Sequence, residues 1–180
     1  VGLGYVGLTL AMHACRNGIE VYGIETSEST LDKIKGGDSH FHEPGLDELM
    51  KLQLGKNFFP SSIIPRNVEF DAFVITVGTP LDSQNLQAPN MRVLDYAISS
   101  IREAWSYGAA VILRSTIPVG TSRVIAENLK KELNLSDIDV CFCPERTAEG
   151  KALDELGSLP QVISGNSVKA ITAARKIFEV

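Results

Sequence analysis

Gly2-Leu3-Gly4-Tyr5-Val6-Gly7, with Glu25 closing the run Glu20-Val21-Tyr22-Gly23-Ile24, is the stretch that decides how this 180-residue chain folds. The glycines follow the pattern GxGxxG, and what comes next is a helical stretch, a second strand and an acid, in the order of a dinucleotide-binding βαβ unit. Tyr5 to Asn17 is apolar nearly throughout, and Gly18 stands where a helix C-terminal cap belongs. Gly2 allows the tight turn out of the first strand, Gly4 lets the backbone approach a pyrophosphate, and Gly7 lets helix and strand pack closely. The pyrophosphate then rests on unpaired N–H groups at the positive end of the helix. A carboxylate at Glu25 accepts hydrogen bonds from the adenosine ribose and repels the extra phosphate of NADP, so the expected cofactor is NAD. Glycine-rich turns also occur for purely structural reasons; the strand, helix and acid in register favour the nucleotide.

The motif sits unusually early. Only Val1 precedes the first glycine, so the sequence predicts a Rossmann-like, doubly wound parallel α/β sheet whose first strand is truncated. The helix-like run from Ala170 to Val180 has no cap, and residues 1–180 read as a fragment cut at both ends.

The composition fits a folded cytoplasmic domain. With 44% hydrophobic and 22% charged residues the chain can bury one sizeable core. A net charge of -5 argues against nucleic acid as the main partner, and no apolar run approaches the roughly 20 residues that span a bilayer. Three cysteines, Cys15, Cys141 and Cys143, form no disulfide framework. Cys141 and Cys143 alternate along one strand and share a face, as buried strand cysteines rather than a metal site, which would need more ligands.

Further along, Ser27 is placed to cap a short helix through Leu31 and Ile34 to Gly36-Gly37, and Glu43-Pro44-Gly45 opens another through Met50. Gly55 to Arg66, with its prolines and polar residues, reads as an excursion from the core. Strands are expected at 72–77, 109–113, 140–143 and 161–163, with helices around Val93 to Ile101 and Val124 to Leu133. Ligands bind at the carboxyl ends of such strands. Besides the glycine loop, that rule selects Val77-Gly78-Thr79-Pro80, Arg114-Ser115-Thr116-Ile117-Pro118-Val119-Gly120-Thr121 and Cys143-Pro144-Glu145-Arg146-Thr147-Ala148-Glu149-Gly150. Thr79 and Thr121 also suit an ordinary turn and helix cap, and Glu145 and Glu149 a solvated surface pair. The functional reading needs all four loops to converge on one crevice.

GLGYVG, VGTP, RSTIPVGT and PERTAEGKAL, in this order, resemble the UDP-glucose/GDP-mannose dehydrogenase family along the whole chain. Glu43-Pro44-Gly45-Leu46 is similar to the family's E-P-x-L segment, and the PER form is more like the UDP-N-acetylhexosamine branch than the UDP-glucose branch. The family more often carries Asp where Glu25 stands and Pro where Gly78 stands. The resemblance implies two successive oxidations at C6 of a UDP-sugar, giving a uronic acid for surface polysaccharide precursors. It also implies a cysteine that forms a thiohemiacetal and then a thioester. None of the three cysteines matches that nucleophile, which is expected beyond Val180, so the fragment is expected to be inactive alone. By motif position, Glu145 and Thr116 match catalytic residues that handle protons or the hydrolytic water. The implied cofactor contacts are Gly2, Gly4, Tyr5, Val6, Gly7, Glu25, Gly78, Thr79, Pro80, Thr116, Thr121 and Glu149, the last near the nicotinamide. The full-length protein is expected to be a homodimer. UDP-glucose 6-dehydrogenase, a β-hydroxyacid-type dehydrogenase and a non-catalytic NAD-binding module stand as alternatives.

Overall fold

Residues 1–82 and 89–178 are described by a computed structural model. They form two compact units, one of residues 1–64 with 146–161 and the end of the chain from Lys176, the other of 65–145 with 162–175.

In the first unit, helix α1 (Tyr5–Arg16) leads into strand β1 (Val21–Ile24). The helix ends as its sequence requires. Gly18 takes φ +87°, its N–H bonds the carbonyl of Cys15, and Ile19 N–H reaches back to Ala14, the paired bonds of a Schellman cap. Helix α2 (Glu28–Gly36) starts under Ser27, whose hydroxyl accepts from Thr30 N–H, and α3 (Leu46–Gln53) starts after Gly45 at φ +77°.

The 55–66 segment departs from expectation. It contains strand β2 (Phe58–Ser61), which pairs in parallel with β1, Val21 opposite Phe58 and Gly23 opposite Pro60. Its sequence hid the strand because Pro60 interrupts it, but among the described residues β2 pairs with β1 alone, and an edge position tolerates a missing N–H. Phe58 is fully buried in the core with Leu3, Leu8, Met12, Ile34, Leu46 and Met50. Residues ahead of α1 run beside β1, since Gly2 N–H donates to Ile24 O at 2.8 Å. Helix α6 (Ala152–Ser158) also belongs to this unit.

The second unit is built on strands β3 (Ala72–Ile75), β4 (Ala110–Leu113) and β5 (Asp139–Phe142), parallel and in that order. Helices α4 (Arg92–Glu103) and α5 (Thr121–Glu132) form the crossovers, and all four residues of β4 are buried. β3 is two residues shorter than the apolar run suggested. Beyond Ile75 the chain leaves the ladder, and the Ser115 hydroxyl takes the Val77 carbonyl at 2.6 Å. The strand expected at 161–163 lies instead at β6 (Ser164–Gly165) and pairs antiparallel with β5. Helix α7 (Val168–Phe178) ends the described chain. Cys141 and Cys143 do share a buried face, their sulfurs 3.8 Å apart.

Candidate functional site

The first unit holds the glycine loop. Gly2 sits at φ +90°, a conformation that favours glycine. Gly4 is the N-cap of α1 in extended backbone, and no side chain caps the helix. The first four N–H groups of an α-helix have no intrahelical acceptor, here those of Gly4, Tyr5, Val6 and Gly7. A Cβ built on Gly4 would meet no atom within 4 Å, so the side of the loop that this residue faces is open. Gly7, by contrast, is buried within α1. The loop therefore presents donors, a positive helix end and open approach, which fits a pyrophosphate.

Glu25 follows β1 directly and its carboxylate is fixed from two sides. Oε2 accepts from Leu3 N–H at 3.1 Å and Oε1 from Ser27 N–H at 2.9 Å. Each carboxylate oxygen keeps a second lone pair, so the group can hold the loop and still accept from ribose hydroxyls.

Tyr5 is held differently from its neighbours. Its hydroxyl meets Glu43 Oε2 and the Ala148 carbonyl, each at 2.8 Å, and accepts from Gly150 N–H at 3.0 Å. Burial first, then the Glu43 carboxylate, pushes its pKa up to about 12. Glu149 lies between Ala148 and Gly150, both bonded by Tyr5, and is itself exposed.

The second unit gathers the remaining candidates. Thr79 donates its hydroxyl to the carbonyl of exposed Thr116 at 2.6 Å, tying the loops after β3 and β4 together. Gly78 and Pro80 beside it are exposed. Thr121 is the first residue of α5 rather than its cap; Gly120 takes that place at φ +93°. Glu145, three residues past β5, meets Arg114, one residue past β4. Arg114 Nε donates to Glu145 Oε2 at 2.9 Å, and a second guanidinium nitrogen lies 2.9 Å from the same oxygen. The Arg114 side chain is wholly buried and that of Glu145 is 17% exposed. The pair joins the carboxyl ends of adjacent strands. Glu145 and Glu149, read together in the sequence, fall in different units.

Two residues of this arrangement were not singled out from the sequence. Arg114 directly follows the apolar run 109–113, and a cation in that position, unable to reach water, demands an acid partner. Glu43 introduced the α3 cap, and nothing local revealed that it is buried.

All 180 residues match the family described as "UDP-glucose/GDP-mannose dehydrogenase family, NAD binding domain". The chain belongs to that family. NAD is accordingly its cofactor, in keeping with the glycine loop and Glu25. The chain is 34% identical to the UDP-N-acetyl-D-mannosamine dehydrogenase of Campylobacter jejuni, covering 100% of this chain and 46% of that protein. It is 32% identical to the NDP-N-acetyl-D-galactosaminuronic acid dehydrogenase of Ralstonia nicotianae, over 100% of this chain and 44% of that one. Its fold superposes on the solved UDP-D-ManNAc dehydrogenase from Pyrococcus horikoshii with a TM-score of 0.91 at 32% identity, covering 98% of this chain and 43% of the other. The chain thus spans less than half the length of these relatives. Among the described residues no helix is long and apolar enough to cross a membrane.

Proposed function

We propose that the protein containing this chain is an NAD-dependent nucleotide-sugar 6-dehydrogenase that oxidises the C6 alcohol of a UDP-N-acetylhexosamine to the uronic acid. The observation that carries the reading is the open glycine loop with a fixed Glu25, in a chain whose relatives include dehydrogenases of N-acetylated nucleotide sugars. Bound NAD supplies the hydride acceptor. The amides at the start of α1 would hold its pyrophosphate, and Glu25 would accept from the adenosine ribose. Thr79, Gly78 and Pro80 from the loop after β3, and Thr121 at the start of α5, would contribute further cofactor contacts. Losing a hydride from an alcohol also requires losing its proton, and reaching the acid requires water. Glu145 and Thr116 serve those steps, and Glu149 would lie beside the nicotinamide.

Cys15, Cys141 and Cys143 are all buried. We assign the nucleophile of the thioester route, the dimer contact and most of the sugar pocket to the part of its longer relatives that this chain does not cover. We place the enzyme in the cytoplasm, supplying precursors for surface polysaccharide.

The test is a substrate panel on the full-length protein. NADH formation with UDP-N-acetylmannosamine, UDP-N-acetylglucosamine and UDP-glucose should show at least a tenfold preference in kcat/KM for an N-acetylated sugar. A preference for UDP-glucose overturns the branch assignment, and no NADH with any of the three overturns the reaction.

A further inference from the structure

We propose that the Tyr5 hydroxyl and the buried Glu43 carboxylate form a latch that fixes Glu149 relative to the glycine loop, making both of them positioning residues for hydride transfer. This rests on the reading that Glu149 lies at the nicotinamide. The geometry is unusually economical. A single oxygen, Tyr5 Oη, accepts from Gly150 N–H at 3.0 Å on one side of Glu149 and shares its one proton between Ala148 O, on the other side, and Glu43 Oε2, each 2.8 Å away. The backbone of Glu149 is thereby clamped before and after its Cα, while its side chain stays exposed. Gly150 turns at φ +80°, so the clamp sits at a reversal of the chain, where one glycine would otherwise leave it loosely specified.

Glu43 completes the device. It is 6% exposed, and both oxygens are occupied: Oε2 by Tyr5 and Oε1 by Leu153 N–H at 3.1 Å, at the start of α6. One side chain from the segment before α3 therefore secures the far end of the 148–153 turn as well as the tyrosine. The Tyr5 ring packs edge-on against Phe41, centroids 4.9 Å apart, which leaves its hydroxyl little freedom to swing away. Tyr5 follows Gly4, the residue that faces the pyrophosphate, by one peptide bond. Cofactor loop and Glu149 turn are thus registered through a single ring. Solvating a turn does not require a buried carboxylate, which is costly to retain unless its hydrogen bonds are made.

The experiment compares Tyr5→Phe, Glu43→Ala and Glu43→Gln in the full-length enzyme by amide hydrogen exchange and steady-state kinetics. Tyr5→Phe and Glu43→Ala should accelerate exchange in the peptides containing Gly150 and Leu153, leaving the rest of α1 unchanged. They should also lower kcat by about 10- to 100-fold, the scale of an ångström-level misplacement, with the Kd for NAD within about 3-fold, because the glycine loop and Glu25 remain. Glu43→Gln can still accept from Leu153 N–H and meet the Tyr5 oxygen, so it should recover most of kcat. If Tyr5→Phe does not fold, Glu43→Ala measured against Glu43→Gln carries the comparison. Exchange at Gly150 and Leu153 that stays at the wild-type rate overturns the latch. Faster exchange with wild-type kcat overturns the positioning role. A wild-type enzyme that reduces no NAD with any nucleotide sugar refutes the proposed reaction instead, and the exchange data still decide the latch.

Discussion

Replacing Glu145 by glutamine tests the site and the fold at once, and the structure sets the size of the effect. Arg114 is entirely buried and two of its nitrogens meet Glu145 Oε2 at 2.9 Å. Breaking a buried ion pair by removing one charge typically costs 3–5 kcal/mol, because the other charge is left uncompensated. Glutamine can still accept one hydrogen bond from Nε, and Glu145 is 17% exposed, so the loss should fall near the lower end, at about 3 kcal/mol. The substitution therefore does not leave the fold untouched, as its place in a loop first suggests. Denaturant unfolding followed through Trp105, which stacks on Phe73 in the same unit, measures it. The double variant Arg114→Met/Glu145→Gln removes both charges and should lie at least about 2 kcal/mol above the sum of the single losses. Turnover then separates the two roles. A double variant that is stable yet slower by about 100-fold shows a carboxylate needed for protons or water. Unchanged stability in Glu145→Gln, together with additive single effects, refutes the buried-pair reasoning.

Three further outcomes follow from other parts of the chain. Glu25→Ala should weaken NAD binding by about 1–3 kcal/mol in calorimetric titration and shrink the preference over NADP; equal efficiency of the parent enzyme with both cofactors contradicts the ribose contact. Gly23→Ala should destabilise the first unit by about 1–3 kcal/mol, since the new Cβ would stand 2.7 Å from the Phe58 ring and 2.9 Å from Leu3, both buried; a melting curve matching the parent's refutes it. Burial pushes the Cys15 thiol up from 9.0 to about 12. The folded pKa is raised, so its contribution is complete below pH 9 and is lost as pH climbs toward 12; unfolding titrations should show that slope, and Cys15→Ala should flatten it.

Local signals made the dinucleotide unit legible. The glycines, the apolar run to Asn17 and the cap at Gly18 act within a few residues of one another, and the structure reproduces them with the Schellman bonds in place. Ser27 as the cap of α2 was legible for the same reason. β2 was not, because a strand of four residues containing Pro60 carries no periodicity, and only its pairing with β1 makes it one. β6 is shorter still and exists through two antiparallel partners on β5. At the candidate site the sequence supplied the residue types but not their tethers. Arg114 with Glu145 spans 31 positions and Tyr5 with Gly150 spans 145, separations at which no local pattern reports a contact.

The count of NADH formed per sugar consumed by the full-length protein tests the central claim most directly. Carrying an alcohol to an acid removes four electrons, so the account predicts two NADH for each UDP-N-acetylhexosamine converted to its uronate. One NADH per sugar, with an aldehyde released, or none at all, contradicts it.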